Sequence, residues 1–125
     1  MRLSSSTPSR TRPSTTSRGR AAERRVAWHY RLRGYRILGR TVRAGGVELD
    51  LIVRRGRRLV FVEVKQKSGP AYGDPIEAVD RWKQERLRHG IDAWLASNPS
   101  HGLEVEFEIA AVRPDGVERV PDLLY

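Results

Sequence analysis

The sequence predicts one small domain of the α/β or α+β class, in the order αβββαββ, with helices packed on a mixed sheet. Three observations carry that reading. The chain has 125 residues, 38% of them apolar, enough for one modest core and no more. Short segments rich in Val, Ile and Leu are punctuated by glycine turns at Gly45-Gly46 and Gly56-Arg57. Two longer segments repeat apolar residues at helical spacing.

Ala21 to Arg33 reads as the first helix, stopped by Gly34 in the C′ position. Tyr35 to Val42 has strand composition, and Gly45-Gly46 turns it into a second strand, Val47 to Arg54. Gly56-Arg57 leads to a third strand, Arg58 to Lys67, followed by a loop from Ser68 to Gly73. The second helix opens at Asp74, with Pro75 in the first helical position and Glu77 completing a capping-box-like pair. It is expected to run to about Ala96, with Ile76, Val79, Leu87, Ile91, Trp94 and Leu95 on its apolar stripe. Leu103 to Val112 and Val117 to Val120 are the last strands, joined by Pro114-Asp115-Gly116.

Charge narrows the function classes. Lys plus Arg number 24 against 15 acids, a net charge of +9 and a pI near 10.9. A polyanionic partner follows, nucleic acid ahead of an acidic membrane surface. Residues 1–20 hold five arginines, ten serines and threonines and no acid, so they read as a disordered basic arm preceding a domain at 21–125. No apolar run is long enough to cross a membrane and no hydrophobic leader core is visible, so the expected location is the cytoplasm. There are no cysteines, which excludes disulfides and thiolate metal sites, and the three histidines have no ligand spacing.

The chemistry is concentrated at the central hairpin. With Gly56 and Arg57 as the two loop residues of a type II′ turn, Arg55 faces Arg58, Ile52 faces Phe61, Asp50 faces Glu63 and Glu48 faces Lys65. Alternation puts these on one face, and Leu49, Leu51, Val53, Val60, Val62 and Val64 on an apolar core face. Two opposed carboxylates at roughly 5 Å repel by about 3 kcal/mol at an effective dielectric near 20. Solvent, a shared proton, Lys65 or a hard divalent cation such as Mg²⁺ or Mn²⁺ can offset that repulsion. Without a cation, the pair reads as the exposed polar end of a hairpin.

Two inward-pointing charges add to the cluster. Glu23 lies on the packing stripe of the first helix with Val26, Ala27 and Tyr30, and Lys83 lies near the centre of the second stripe. Snorkelling at the stripe edge is the bland alternative for each. The chain uses 21 arginines and only three lysines, Lys65, Lys67 and Lys83, and all three fall in or near this region. Lysine is a compact point charge suited to a nucleophile or a transition state.

Asp50-Leu51-Ile52 followed by Phe61-Val62-Glu63-Val64-Lys65 resembles the Asp…Glu-X-Lys signature of PD-(D/E)XK nucleases. Glu23, Gly34 to Leu38, Glu48 to Ile52, Leu59 to Lys65, Glu77-Ala78-Val79 and Lys83 are similar, in order and spacing, to the YraN-type endonuclease-like family. The resemblance covers about residues 21–112. It implies a restriction-endonuclease-like core related to Holliday-junction resolvases, which act as dimers, so a homodimer is among the partners it raises. It implies Asp50 and Glu63 as metal ligands, the Val64 carbonyl as a third, Lys65 at the attacking water or the phosphate, and Glu23 as the helix-one acid. Val47 stands where the family has Gly, and Lys67 where it has Arg.

The expected activity is Mg²⁺- or Mn²⁺-dependent hydrolysis of phosphodiester bonds in nucleic acid, DNA ahead of RNA, selective for branched structure. Arg54, Arg55, Arg57 and Arg58 at the hairpin tip, with Lys67 and Lys83, are the phosphate-contact candidates; solvation alone is the alternative for the tip arginines. Trp28, Trp82 and Trp94 are expected to pack in the core, and Glu104, Glu106 and Glu108 to lie on a half-exposed strand without a catalytic role. Two rival readings stand beside the nuclease: a nucleic-acid-binding module without turnover, and a basic adaptor that docks an acidic protein.

Overall fold

The structure, a computed structural model, describes residues 15–66 and 81–122. The elements are α1 (Thr15–Arg31), β1 (Arg36–Ala44), β2 (Val47–Arg55), β3 (Arg58–Gln66), α2 (Arg81–Ser97), β4 (Glu104–Arg113) and β5 (Gly116–Asp122). The order αβββαββ is the one read from sequence. The strands form one mixed sheet, β1-β2-β3-β4-β5, in which β3 and β4 run parallel and every other neighbouring pair antiparallel.

Each helix covers one face. Under α1, Ala22, Val26, Ala27 and Tyr30 pack on Leu51, Val53, Val60 and Val62. Under α2, Leu87 and Ile91 pack on Ile52, Leu59, Phe61 and Phe107, with Trp94 and Leu95 at the margin. The opening of the second helix at Asp74-Pro75-Ile76-Glu77, with Ala78 and Val79, lies outside the described residues, as does Lys67. No helix among the described residues is long and apolar enough to cross a membrane.

The helix stop is as the sequence implies. Gly34 has φ 89°, its N–H donates to the Arg31 carbonyl, and Tyr35 N–H reaches back to the Tyr30 carbonyl at 3.0 Å. These are the two bonds of a Schellman cap, and Tyr35 stacks edge-on against Tyr30 as its hydrophobic contact. The helix start differs. It lies at Thr15, six residues before the expected Ala21, so the segment 15–20, read as arm, belongs to the helix. Ser and Thr suit a helix start, and the arginines and alanines that follow propagate it.

Both glycine turns fit their hairpins. Gly45 and Gly46 have φ 58° and 77°, the double positive value of a type I′ turn. Gly56 has φ 61°, and the register Arg55↔Arg58 through Leu51↔Val62 matches the expected pairing.

The pattern of faces does not follow strict alternation. Leu51 and Val53 pack under α1, but Leu49 and Val47 lie with Ile52 on the α2 side. Their β1 partners do the same: Ile37 packs under α1, whereas Val42 and Ala44 pack under α2. The change of phase falls where Thr41 stands across from Asp50, between the pairs Arg40↔Leu51 and Val42↔Leu49. Thr41 has φ 50°, a left-handed value that a β-branched residue seldom adopts. The expected single apolar face carrying Leu49, Leu51 and Val53 is therefore corrected. Both faces are covered by helices, and the strand pair switches sides at Thr41 and Asp50.

Candidate active site

The β2–β3 ladder ends at Leu51↔Val62, one pair short of Asp50 and Glu63. There Asp50 replaces the backbone, its Oδ2 accepting the Val64 N–H at 2.9 Å. The two strands part, and a cavity of about 370 Å³ opens toward α1, lined by Gly19, Arg20, Glu23, Thr41, Glu48, Asp50 and Val64.

Glu23 is buried, as its place on the helix stripe requires. The Thr41 hydroxyl lies 2.8 and 2.9 Å from its two oxygens, and Arg40 Nε lies 3.6 Å from Oε1. The left-handed turn of backbone at Thr41 thus aims its hydroxyl at the helix-one acid. Thr41 and Arg40 were not among the expected site residues. The Gly45-Gly46 turn was the available signal, since its register sets Thr41 across from Asp50.

Glu63 turns the other way. Lys83 Nζ lies 2.8 Å and Lys65 Nζ 3.4 Å from its Oε2. Lys83 does point inward from α2, as the stripe implies. Asp50 and Glu63 therefore stand on either side of the strand split, not as a regular cross-strand pair on one face. They remain electrostatic neighbours. Burial first, then the Glu63 charge, push the Asp50 carboxyl up to about 7, with Glu23 and Glu48 adding to the rise and the Val64 N–H opposing it. Burial and the adjacent Lys83 ammonium lower the Lys65 amine. For Lys83, burial pulls down, but the bond to Glu63 and its neighbours outweigh it, and the net direction is up.

The side chains present are of the kind a hard cation takes: carboxylates at Asp50, Glu23 and Glu48 line the cavity, and Glu63 stands on the neighbouring strand, held by lysines. The excess of acids around Asp50 fits a divalent ion, because added positive charge relieves it. Among the described residues no three carboxylates or imidazoles already stand close enough to share one ion. Glu63 could serve as a ligand beside Asp50 only if its carboxylate left Lys83, which it meets at 2.8 Å.

The hairpin tip is elsewhere. Arg55 lies five residues along β2 from Asp50, about 16 Å at strand rise. Arg54 donates to the Gly56 carbonyl, Arg55 to that of Arg33, and Arg57 to that of Gly102. Arg58 makes no outward clamp. It pairs with Glu106 at 2.7 Å, approaches Glu108 and donates to the Tyr35 hydroxyl at 2.7 Å. Glu108 is not half-exposed but buried, held by Arg119 at 3.0 Å and by the Tyr30 hydroxyl. The expectation for the tryptophans is corrected in part. Trp94 borders the core against Phe61, while Trp28 and Trp82 are exposed.

Fold and cluster together define a small mixed-sheet domain with acids and a lysine gathered where the central hairpin opens; by sequence it is of the YraN-type family. The chain belongs to that family: residues 22–113 match the uncharacterised protein family UPF0102. It is similar to a UPF0102 protein of Halorhodospira halophila, 36% identical over 92% of this chain and 93% of that one. It is also similar to UPF0102 proteins of Symbiobacterium thermophilum, 42% identical over 77% and 81% of the two chains, and of Beutenbergia cavernae, 46% identical over 63% and 67%.

Proposed function

We propose that the protein is a divalent-metal-dependent nuclease that hydrolyses phosphodiester bonds in nucleic acid, with branched DNA as its preferred substrate. The observation that carries this reading is Asp50, a half-buried carboxylate at a strand split, crowded by Glu63, Glu23 and Glu48, with Lys65 two residues beyond Glu63. Asp50, Glu63 and the Val64 carbonyl would hold Mg²⁺ or Mn²⁺. When bound, the ion supplies polarisation of a phosphoryl oxygen and a more acidic water. Lys65, already against Glu63 and lowered by burial, orients the attacking water or meets the charge that develops on phosphate. Glu23, fixed by Thr41 and Arg40, keeps a second acid on the cavity wall. Arg20, on the wall of the same cavity, is the cation that would meet a phosphate there.

One observation favours a second reading, a binding module of the same fold without turnover. Glu63 is clasped by both Lys83 and Lys65. Calorimetric titration with Mn²⁺ separates the two. The nuclease reading expects binding by the wild type and its loss in both Asp50→Asn and Glu63→Gln. Unchanged Mn²⁺ affinity in the two variants overturns the site, and no Mn²⁺ binding by the wild type selects the module.

A further inference from the structure

Beyond Arg20, which lines the cavity, the outward face of α1 has no part in the site above. Arg20, Arg24, Trp28 and Arg31 are all exposed, and their spacing sets them within about 80° of arc at 100° per residue. From Arg20 to Arg31 the row is about 16 Å long at helical rise. The one acid of the helix, Glu23, is buried and turned to Thr41, so no carboxylate of α1 offsets these charges.

Trp28 interrupts the row with an indole that is 55% exposed, beside Leu32 at 76%. The Arg31 guanidinium sits 5.6 Å from the centre of the Trp28 ring. Large apolar side chains are costly to leave in water, and an indole set among guanidinium groups has a specific complement. An unpaired base can stack on the ring while its flanking phosphates meet the arginines. A duplex keeps its base faces inside and offers the indole nothing. A second copy of the chain would bring arginine against arginine. The row also leads somewhere, since Gly19 and Arg20 at its start line the cavity that holds Glu23 and Asp50.

We infer that the outer face of α1 binds an unpaired strand of nucleic acid, with Trp28 as its stacking platform, and directs it to the Asp50 cavity. The destination rests on the nuclease reading; the binding surface does not. A branched or flapped substrate presents such a strand next to a duplex.

The test is fluorescence anisotropy of a labelled oligothymidylate with the full chain in EDTA, beside a duplex of equal length. Trp28→Ala is expected to weaken the single strand about tenfold, within the range for losing one stacked base, and Trp28→Phe to restore most of it. Duplex binding should be unchanged by Trp28→Ala. Arg24→Glu should weaken both ligands and lower the salt slope by about one unit, reporting a phosphate contact independently of the indole. Wild-type affinity in Trp28→Ala, or an equal loss on the duplex, overturns the inference. So does sedimentation showing a dimer that Trp28→Ala dissociates while oligonucleotide affinity stays intact, which would give this face to a second copy. Since no metal is present, failure of this test leaves the Mn²⁺ titration untouched, and the reverse holds.

Discussion

Replacing Asp50 by Asn probes the charge balance at the mouth of the cavity. In the unfolded chain this carboxyl ionises near 3.8; in the folded chain burial and Glu63 raise it to about 7. Between those values the folded state binds the extra proton. The native state therefore loses stability as pH rises through that window, and the deficit is complete above it. At about 1.4 kcal/mol per pH unit, the difference amounts to about 4 kcal/mol. Asn keeps an oxygen for the Val64 N–H and removes the charge. Urea unfolding should show Asp50→Asn more stable than wild type by up to about 4 kcal/mol at about pH 8, with the advantage gone near pH 4. Mn²⁺ at about 100 times its dissociation constant should then raise the wild type by about 2.7 kcal/mol and leave the variant unmoved. Equal stabilities at the higher pH, or the same gain at both, would refute the reasoning.

Thr41→Val keeps the left-handed strain and loses the hydroxyl bond to Glu23, so urea unfolding should show a loss of about 2 kcal/mol. Thr41→Gly relieves about 1–2 kcal/mol of backbone strain and should lose clearly less; equal losses would mean the φ value carries no strain. Lys83→Ala removes the cation that competes for Glu63, so Mn²⁺ affinity measured by calorimetry should rise about fivefold, the value of a partly exposed pair. A lower affinity would make Lys83 a builder of the site. Glu108→Gln leaves the Arg119 and Arg58 guanidinium groups facing a neutral amide and should lower stability by about 3 kcal/mol with Mn²⁺ affinity unchanged. A fall in affinity would couple that network to the cavity.

Glycine made much of this fold legible. Gly34, Gly45, Gly46 and Gly56 all adopt positive φ, so their places in the sequence mark the helix stop and both hairpin registers. The inward Lys83 and Glu23 were legible because a charge on an apolar stripe needs a partner, and each has one. The phase switch at Thr41 and Asp50 was not. Helices cover both faces of the sheet, so Leu49 is buried whichever way it points, and alternation loses its meaning. Glu108 was hidden for another reason. It alternates with Phe107 and Ile109 like any half-exposed strand, while Arg58, Arg119 and Tyr30 reach it from distant parts of the chain. Trp28 and Trp82 border their helix stripes, where a few tens of degrees of arc decide between core and solvent.

The most direct measurement of the central claim is a cleavage assay with Mn²⁺ on linear, flapped and four-way DNA, wild type beside Lys65→Ala. The account predicts cutting of the flapped or four-way substrate ahead of the linear one. It also predicts a fall of at least about 100-fold in Lys65→Ala with Mn²⁺ still bound. Intact DNA in every lane, under conditions where the wild type binds Mn²⁺, would contradict it.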